Sequence, residues 1–239
     1  MRALSEWGLS GMNALHDQVG VFVIVDVLSF CTAVDVALSR GAIVYPYPFD
    51  DPRGAEMAAE RVGATLARRR READGKFSLS PVSLLAIRAD TKLMLPSPNG
   101  SRLAFAASRT PAQTPVLAGC LRNAAAVARA ACAHAGDRPV GVIPAGELWP
   151  DGSLRAAIED LLGAGAILDR LDCTCSPEAE IAREAYRSAS QDLDRLIRLS
   201  VSGRELVDSG FSGDVDLALE QDVSATVPLL SDEAFRAMR

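Results

Sequence analysis

Acidic and small polar residues gather immediately after the apolar runs of this sequence. Asp26 follows Val21-Phe22-Val23-Ile24-Val25, with Ser29 three positions on. Ser97, Asn99, Gly100, Ser101 and Arg102 follow the run that begins near Leu93. Gly119, Arg122 and Asn123 follow Val116-Leu117-Ala118, and Gly146 and Glu147 follow the run that ends at Ile143. In open parallel sheets ligands bind beyond the carboxyl ends of the strands, so these are the positions where chemistry is expected.

Two kinds of group recur there. Ser97-Pro98-Asn99-Gly100-Ser101 puts small and hydroxyl residues at a helix start, where free backbone N–H groups and the helix dipole favour an anion. Gly119 to Asn123 repeats the arrangement one strand later, and Arg102 and Arg122 each carry a planar fork suited to phosphate or sulfonate. Singly, each turn reads as a helix cap; together they read as an anion cradle. The carboxylates suggest a cation: Asp26, Glu147 and the pair Glu159 and Asp160 are oxygen donors of the kind Mg²⁺ takes, one or two at a time, beside water and a substrate phosphate. Asp26 with Glu147 or Asp160 would suffice, and such a metal would offset an ester's charge and activate a water. The competing reading of Glu159 and Asp160 is an exposed helix face. Asp26 is harder to dismiss, because a carboxylate abutting a buried strand needs a partner.

Other chemistries find little support. Cys31, Cys120, Cys132, Cys173 and Cys175 are odd in number and scattered, which argues against a disulfide framework. Cys173-Thr174-Cys175 has no second pair, and with only His16 and His134 in the chain a closed four-ligand zinc site is not expected. Cys120 at a helix start is a minor candidate nucleophile. There is no P-loop, no G-x-G-x-x-G and no G-x-S-x-G.

The elements that must position these residues alternate short apolar runs with amphipathic stretches, the mark of βαβ units and a largely parallel sheet. Strands are predicted at 21–25, 42–45, 91–95, 116–118 and 140–143, and helices at 32–40, 51–71, from 101 onward, 121–134 and 153–171. The segment after Pro177 reads as mainly helical, with a short apolar run at 226–230. The expectation is a layered α/β/α fold in one domain of 239 residues. If it divides into two α/β lobes, the turn at 173–177 is the place. Arg68-Arg69-Arg70-Arg71 reads as the solvated end of the 51–71 helix, where cations suit the dipole; the alternative is a phosphate or partner patch.

A net charge of −6 disfavours a general nucleic-acid binder. No run approaches the ~20 apolar residues of a membrane span, and the first twenty residues lack the pattern of a secretory signal. A cytoplasmic location is expected by default. Small α/β enzymes commonly pair about a two-fold axis, which makes a homodimer the default assembly.

At the same residues the sequence resembles the 2-phosphosulfolactate phosphatase family, often called ComB, from about Trp7 to the C-terminus. The carrying segments are Val25-Asp26-Val27-Leu28 with Thr32; Ser97-Pro98-Asn99-Gly100-Ser101; Gly119-Cys120-Leu121-Arg122-Asn123; Pro144-Ala145-Gly146-Glu147; Glu159-Asp160 with Gly163-Ala164-Gly165; and Ser202-Gly203-Arg204 through Gly210-Phe211 to Asp214-Val215. The resemblance implies an α/β fold, Mg²⁺ dependence and hydrolysis of a small anionic phosphorylated substrate, (R)-2-phospho-3-sulfolactate, on a route to coenzyme M. By position, Asp26, Asn99-Gly100-Ser101, Gly119, Asn123, Glu159 and Asp160 match the family's pattern. Three departures mark a divergent branch. Ser29 stands where arginine is usual and Cys120 where serine is common. The 67–71 run, followed by Gly75-Lys76-Phe77-Ser78-Leu79-Ser80-Pro81, replaces a Gly-Glu-Arg segment. Alternatives to that reaction are a non-catalytic anion binder on the same fold, or a hydrolase of another phosphorylated metabolite.

Overall fold

The fold is that of a computed structural model, which describes residues 1–72, 76–109 and 114–238. Gly75, the first residue of one divergent segment, lies outside them. The chain opens with β1 (Arg2–Ser5), α1 (Gly8–Leu15), β2 (Val21–Val25), α2 (Phe30–Ser39), β3 (Ile43–Pro48), α3 (Pro52–Val62) and β4 (Thr65–Leu66). The middle comprises β5 (Lys92–Ser97), α4 (Gly100–Ser108), β6 (Val116–Gly119), α5 (Ala124–Ala135), β7 (Val140–Pro144), the small hairpin β8 (Glu147–Leu148) and β9 (Leu154–Arg155), and α6 (Ile158–Asp169). Then come β10 (Thr174–Cys175), helices α7 (Pro177–Ala189), α8 (Leu193–Leu199), α9 (Val201–Asp208) and α10 (Ser212–Ala218), and a final hairpin of β11 (Pro228–Ser231) and β12 (Ala234–Ala237).

Among the described residues the strands form a ten-stranded sheet in the order β10-β1-β7-β2-β6-β11-β12-β3-β5-β4. The continuous apolar run of β2 is covered on both faces, as a central parallel strand requires. Val21, Val23 and Val25 pack into one core with Ala128, Ile167 and Tyr186. Phe22 and Ile24 pack into the other with Phe30, Leu103 and Phe235. Side chains alternate across a strand, so one apolar run serves two layers of helices and the result is the layered α/β/α fold.

The sheet is mixed. Its two parallel parts, β10-β1-β7-β2-β6 and β3-β5-β4, are joined by the antiparallel β11–β12 hairpin, which pairs Leu229 with Leu117 on one side and Phe235 with Val44 on the other. The 226–230 run thus belongs to a closing hairpin. Its turn gives positive φ to Asp232 (48°) and Glu233 (65°), a conformation normally announced by Asn-Gly or Asp-Gly; Asp-Glu carries no such signal. The 173–177 turn forms edge strand β10, parallel to β1, and the start of α7.

Two expected helices are shorter than predicted. The 51–71 helix ends at Val62, because Gly63 takes the left-handed C-cap position (φ 65°). The chain then adds β4, and residues 70–72 form a 3₁₀ turn. The arginine run is therefore no helix terminus. Likewise α6 begins at Ile158, after the β8–β9 hairpin has used residues 147–155.

Phe235 is fully buried and meets the ring of Phe30 edge-on at 5.9 Å, so the joining hairpin is tied to the α2 layer. Phe235→Ala should cost about 3–5 kcal/mol of stability, measured by urea unfolding. A loss well under about 1 kcal/mol would mean that this contact does not hold the two parallel parts together.

Candidate active site

Asp26 is the first residue beyond β2 and lies only 5% exposed. Its Oδ1 accepts the N–H of Phe30 at 3.1 Å, and its Oδ2 accepts the N–H of Gly100 at 3.1 Å. Those two residues open α2 and α4, so one carboxylate closes the N-termini of two helices, where both dipoles favour negative charge. Gly100 must be glycine for this approach: a Cβ there would stand 2.8 Å from both Oδ2 of Asp26 and the Phe30 ring.

Asp160, in the first turn of α6, links two further turns. Its Oδ1 accepts the Val27 N–H at 2.8 Å and its Oδ2 the Gly146 N–H at 2.9 Å. Gly146 has φ 68°, and a Cβ there would lie 2.7 Å from the Leu154 side chain. Its neighbour Glu147 accepts a hydrogen bond from Asn99 Nδ2 at 2.7 Å. Glu159, 3% exposed, completes the group.

Loss of water is the largest influence on Asp26, Glu147 and Asp160. Burial pushes Asp26 up to about 6, against the lowering effect of its two N–H bonds and of Arg70. Burial, followed by the charge of Asp26, pushes Glu147 up to about 7. Asp160 is raised well above the usual carboxylate range by burial and by the charges of Asp26 and Glu159. The cluster therefore holds more negative charge than its surroundings offset, which is the electrostatic setting for a bound cation. Among the described residues no group of three or more acidic, histidine or cysteine side chains is arranged to hold a metal ion by itself. The donors fit Mg²⁺ in the form in which one or two carboxylates bind it and water and a phosphate complete the shell.

The expected cradle is assembled only in part. Asn99 and Gly100 join the carboxylates. Ser97 and Ser101 brace their turn from within. Ser97 Oγ accepts from Asn99 N (3.3 Å), and Ser101 Oγ bonds the backbone of Tyr47 and Leu95. Arg102 is exposed beside a cavity of about 200 Å³ lined by Trp7, Pro98 and Asn99. The second turn is structural. Gly119 leaves room for Ile167. Arg122 is held by Asp35 at 2.9 Å, by Glu220 and by the Leu217 carbonyl. Asn123 bonds the backbone of Cys120, Ala118 and Thr226. The groups that would bind an anion there are committed to the protein itself. The Cys120 thiol is pushed up to about 12 by burial, which keeps it protonated and removes it as a nucleophile.

One residue at the site was missed. Arg70 reaches across from the 3₁₀ turn to donate from Nη2 to the carbonyl of Leu28 (3.0 Å) and to Ser29 Oγ (3.3 Å). With Ser29, Glu147, Ser202 and Phe211 it lines a cavity of about 240 Å³. The arginine run was the available signal, but its assignment to a helix end placed it in solvent.

The family model described as 2-phosphosulpholactate phosphatase matches residues 11–233, from α1 through the turn of the last hairpin. The chain belongs to this family. A curated relative from Pseudothermotoga lettingae, named a probable 2-phosphosulfolactate phosphatase, is 28% identical over 221 residues, covering 91% of this chain and 92% of the relative. Another so named, from Thermosynechococcus vestitus, is 30% identical over 222 residues, 86% and 87% of the two chains. Family membership thus extends over the whole set of turns that meet at Asp26.

The raised carboxylates set a pH dependence. A carboxyl group whose folded pKa lies above its unfolded value binds more protons in the native state, so stability falls as pH rises through that interval. For Glu147 the interval runs from about 4.5 to about 7, and for Asp26 from about 3.8 to about 6. Metal-free protein should therefore melt at a higher temperature at pH 5 than at pH 8, and Glu147→Gln should flatten the pH 6–8 part of the curve. Identical pH profiles for the two proteins in a thermal-melt series would refute this account of the cluster.

Proposed function

We propose that this chain is a Mg²⁺-dependent phosphoric monoester hydrolase acting on a small sulfonated or carboxylated acid, with (R)-2-phospho-3-sulfolactate as the first substrate to test. The observation that carries the reading is the convergence of Asp26, Glu147, Glu159 and Asp160, three of them buried, at the carboxyl ends of β2 and β7 beside the Asn99-Gly100 turn. Membership of the family, and the activity in the names of the two relatives, point the same way.

Within this reading Asp160 holds the Val27 and Gly146 turns in register through a backbone N–H bond to each oxygen. Asp26 likewise accepts one backbone N–H on each oxygen, and the second lone pair of those oxygens, with Glu159, would hold the cation. Glu147 accepts its Asn99 bond on Oε2 alone among the described residues. When bound, Mg²⁺ offsets the charge of the ester and polarises it. Glu147, oriented by Asn99 and with its carboxyl near 7, is suited to take a proton from the attacking water and return it to the departing alkoxide oxygen. Asp26, fixed by two helix N-termini, faces the same space with an orientation that cannot drift.

The test is phosphate release from a panel of small phosphorylated acids led by 2-phosphosulfolactate, with Mg²⁺ and with EDTA. Release should require the metal, and Glu147→Gln should lower kcat by roughly 10²–10⁴-fold, with Asp26→Asn at least as damaging. No release by folded, metal-loaded protein from any member would sink the proposal and favour a non-catalytic anion binder.

A further inference from the structure

A dianionic ester approaching Asp26, Glu147 and Glu159 meets repulsion, and a single divalent ion leaves part of it unopposed. The described structure places two buried guanidinium groups beside this cluster, Arg155 and Arg70, and of these it is Arg70 whose charge acts on both Asp26 and Glu147. Arg70 is 16% exposed at its side chain, and the charges of both Asp26 and Glu147 act on it. It lines the 240 Å³ cavity with Glu147 and also an adjoining groove of about 480 Å³ with Phe49, Pro96 and Pro98.

Its attachment is made from one side. Nε lies 3.1 Å from Oδ2 of Asp214, a residue 1% exposed. Asp214 is itself held, its Oδ1 accepting from Ser80 Oγ at 2.5 Å and from the Val82 N–H at 3.3 Å. Nη2 donates to Leu28, Ser29 and, at 3.5 Å, the Leu79 carbonyl. Among the described residues no acceptor engages Nη1. Nη1 is thus the part of this buried fork left to meet a ligand from the cavity side.

We propose that Arg70 grips the phosphoryl oxygens of the substrate, and that Asp214, braced by Ser80 and Val82, is the positioning residue that aims its guanidinium. This rests on the phosphatase reading for what the phosphoryl group belongs to, but not for the binding of phosphate itself. A planar fork fixed by a carboxylate at one edge presents its remaining N–H groups in one direction, the geometry that suits a tetrahedral oxyanion.

The experiment is a titration of the metal-loaded full chain with inorganic phosphate, read as thermal stabilisation, for wild type, Arg70→Gln, Arg70→Lys and Asp214→Asn. Steady-state kinetics on the best phosphoester are run beside it. Arg70→Gln should raise the phosphate needed for half-maximal stabilisation by roughly tenfold or more, with KM rising in parallel. Arg70→Lys should lose several-fold, because the charge stays while the fork is lost. Asp214→Asn should move phosphate affinity in the same direction, and the double variant should be no weaker than Arg70→Gln alone, as expected of residues acting as a unit. A merely structural role would lower the melting temperature and leave the phosphate titration unmoved, which would overturn the proposal. If Arg70→Gln fails to fold, Arg70→Lys decides, and unchanged phosphate affinity in it overturns the proposal, as does a wild type indifferent to phosphate. Absence of turnover on every ester, with phosphate binding still lost on Arg70→Gln, would instead reject the phosphatase reading and keep the anion site.

Discussion

The site depends on one carboxylate placed where two helices begin. Asp26 accepts an N–H from the first residue of α2 and another from the first residue of α4. Both helices leave unpaired donors at their starts, and a buried start without a partner would be costly. Asp26 satisfies both at once and ties β2 to the turn after β5, although the two belong to different parallel parts of the sheet. Removing that carboxylate would therefore loosen the frame as well as the chemistry.

Around it, the protein maintains an electrostatic imbalance. Burial raises Asp26, Glu147 and Asp160, and the neighbouring carboxylate charges deepen the effect. Backbone N–H groups offset part of the cost at Asp26 and Asp160 but cannot remove it. Such a cluster is stable when protonated or when a cation shares it, so fold stability and ligand affinity draw on the same groups. The cations that do border it, Arg70 and Arg155, are anchored from outside by Asp214 and by Glu205 and Ser202, all in the helical segment after α7. That segment thereby acts as the wall of a site whose floor is the sheet.

Much of the architecture was legible beforehand because its cause is local. A continuous β-branched run such as 21–25 can only be a strand covered on both faces, and polar residues directly after it must lie at a carboxyl edge. The positions of Asp26, Asn99, Gly100 and Glu147 followed from that. The failures have equally local reasons. Gly63 was a helix stop hidden inside an amphipathic pattern, and overlooking it sent Arg70 into solvent. Asp232-Glu233 makes a hairpin turn with residues that do not advertise one. The Gly119–Asn123 turn has the composition of an anion site and uses its polar groups to hold its own backbone.

The sequence by itself determined the class of the fold, the order of its βαβ units, the family, and the set of turns from which a site would be drawn, because periodicity and turn chemistry act over a few residues. Only the tertiary structure decided which of those turns meet. Asp160 bonds Val27 across 133 residues, Asn99 bonds Glu147 across 48, and Ser80 bonds Asp214 across 134. Spacing along a chain constrains contacts within an element but sets no distance between separate strands. Which carboxylates share a field, and which arginine faces them, is therefore a property of the packed sheet and its helices rather than of any one segment.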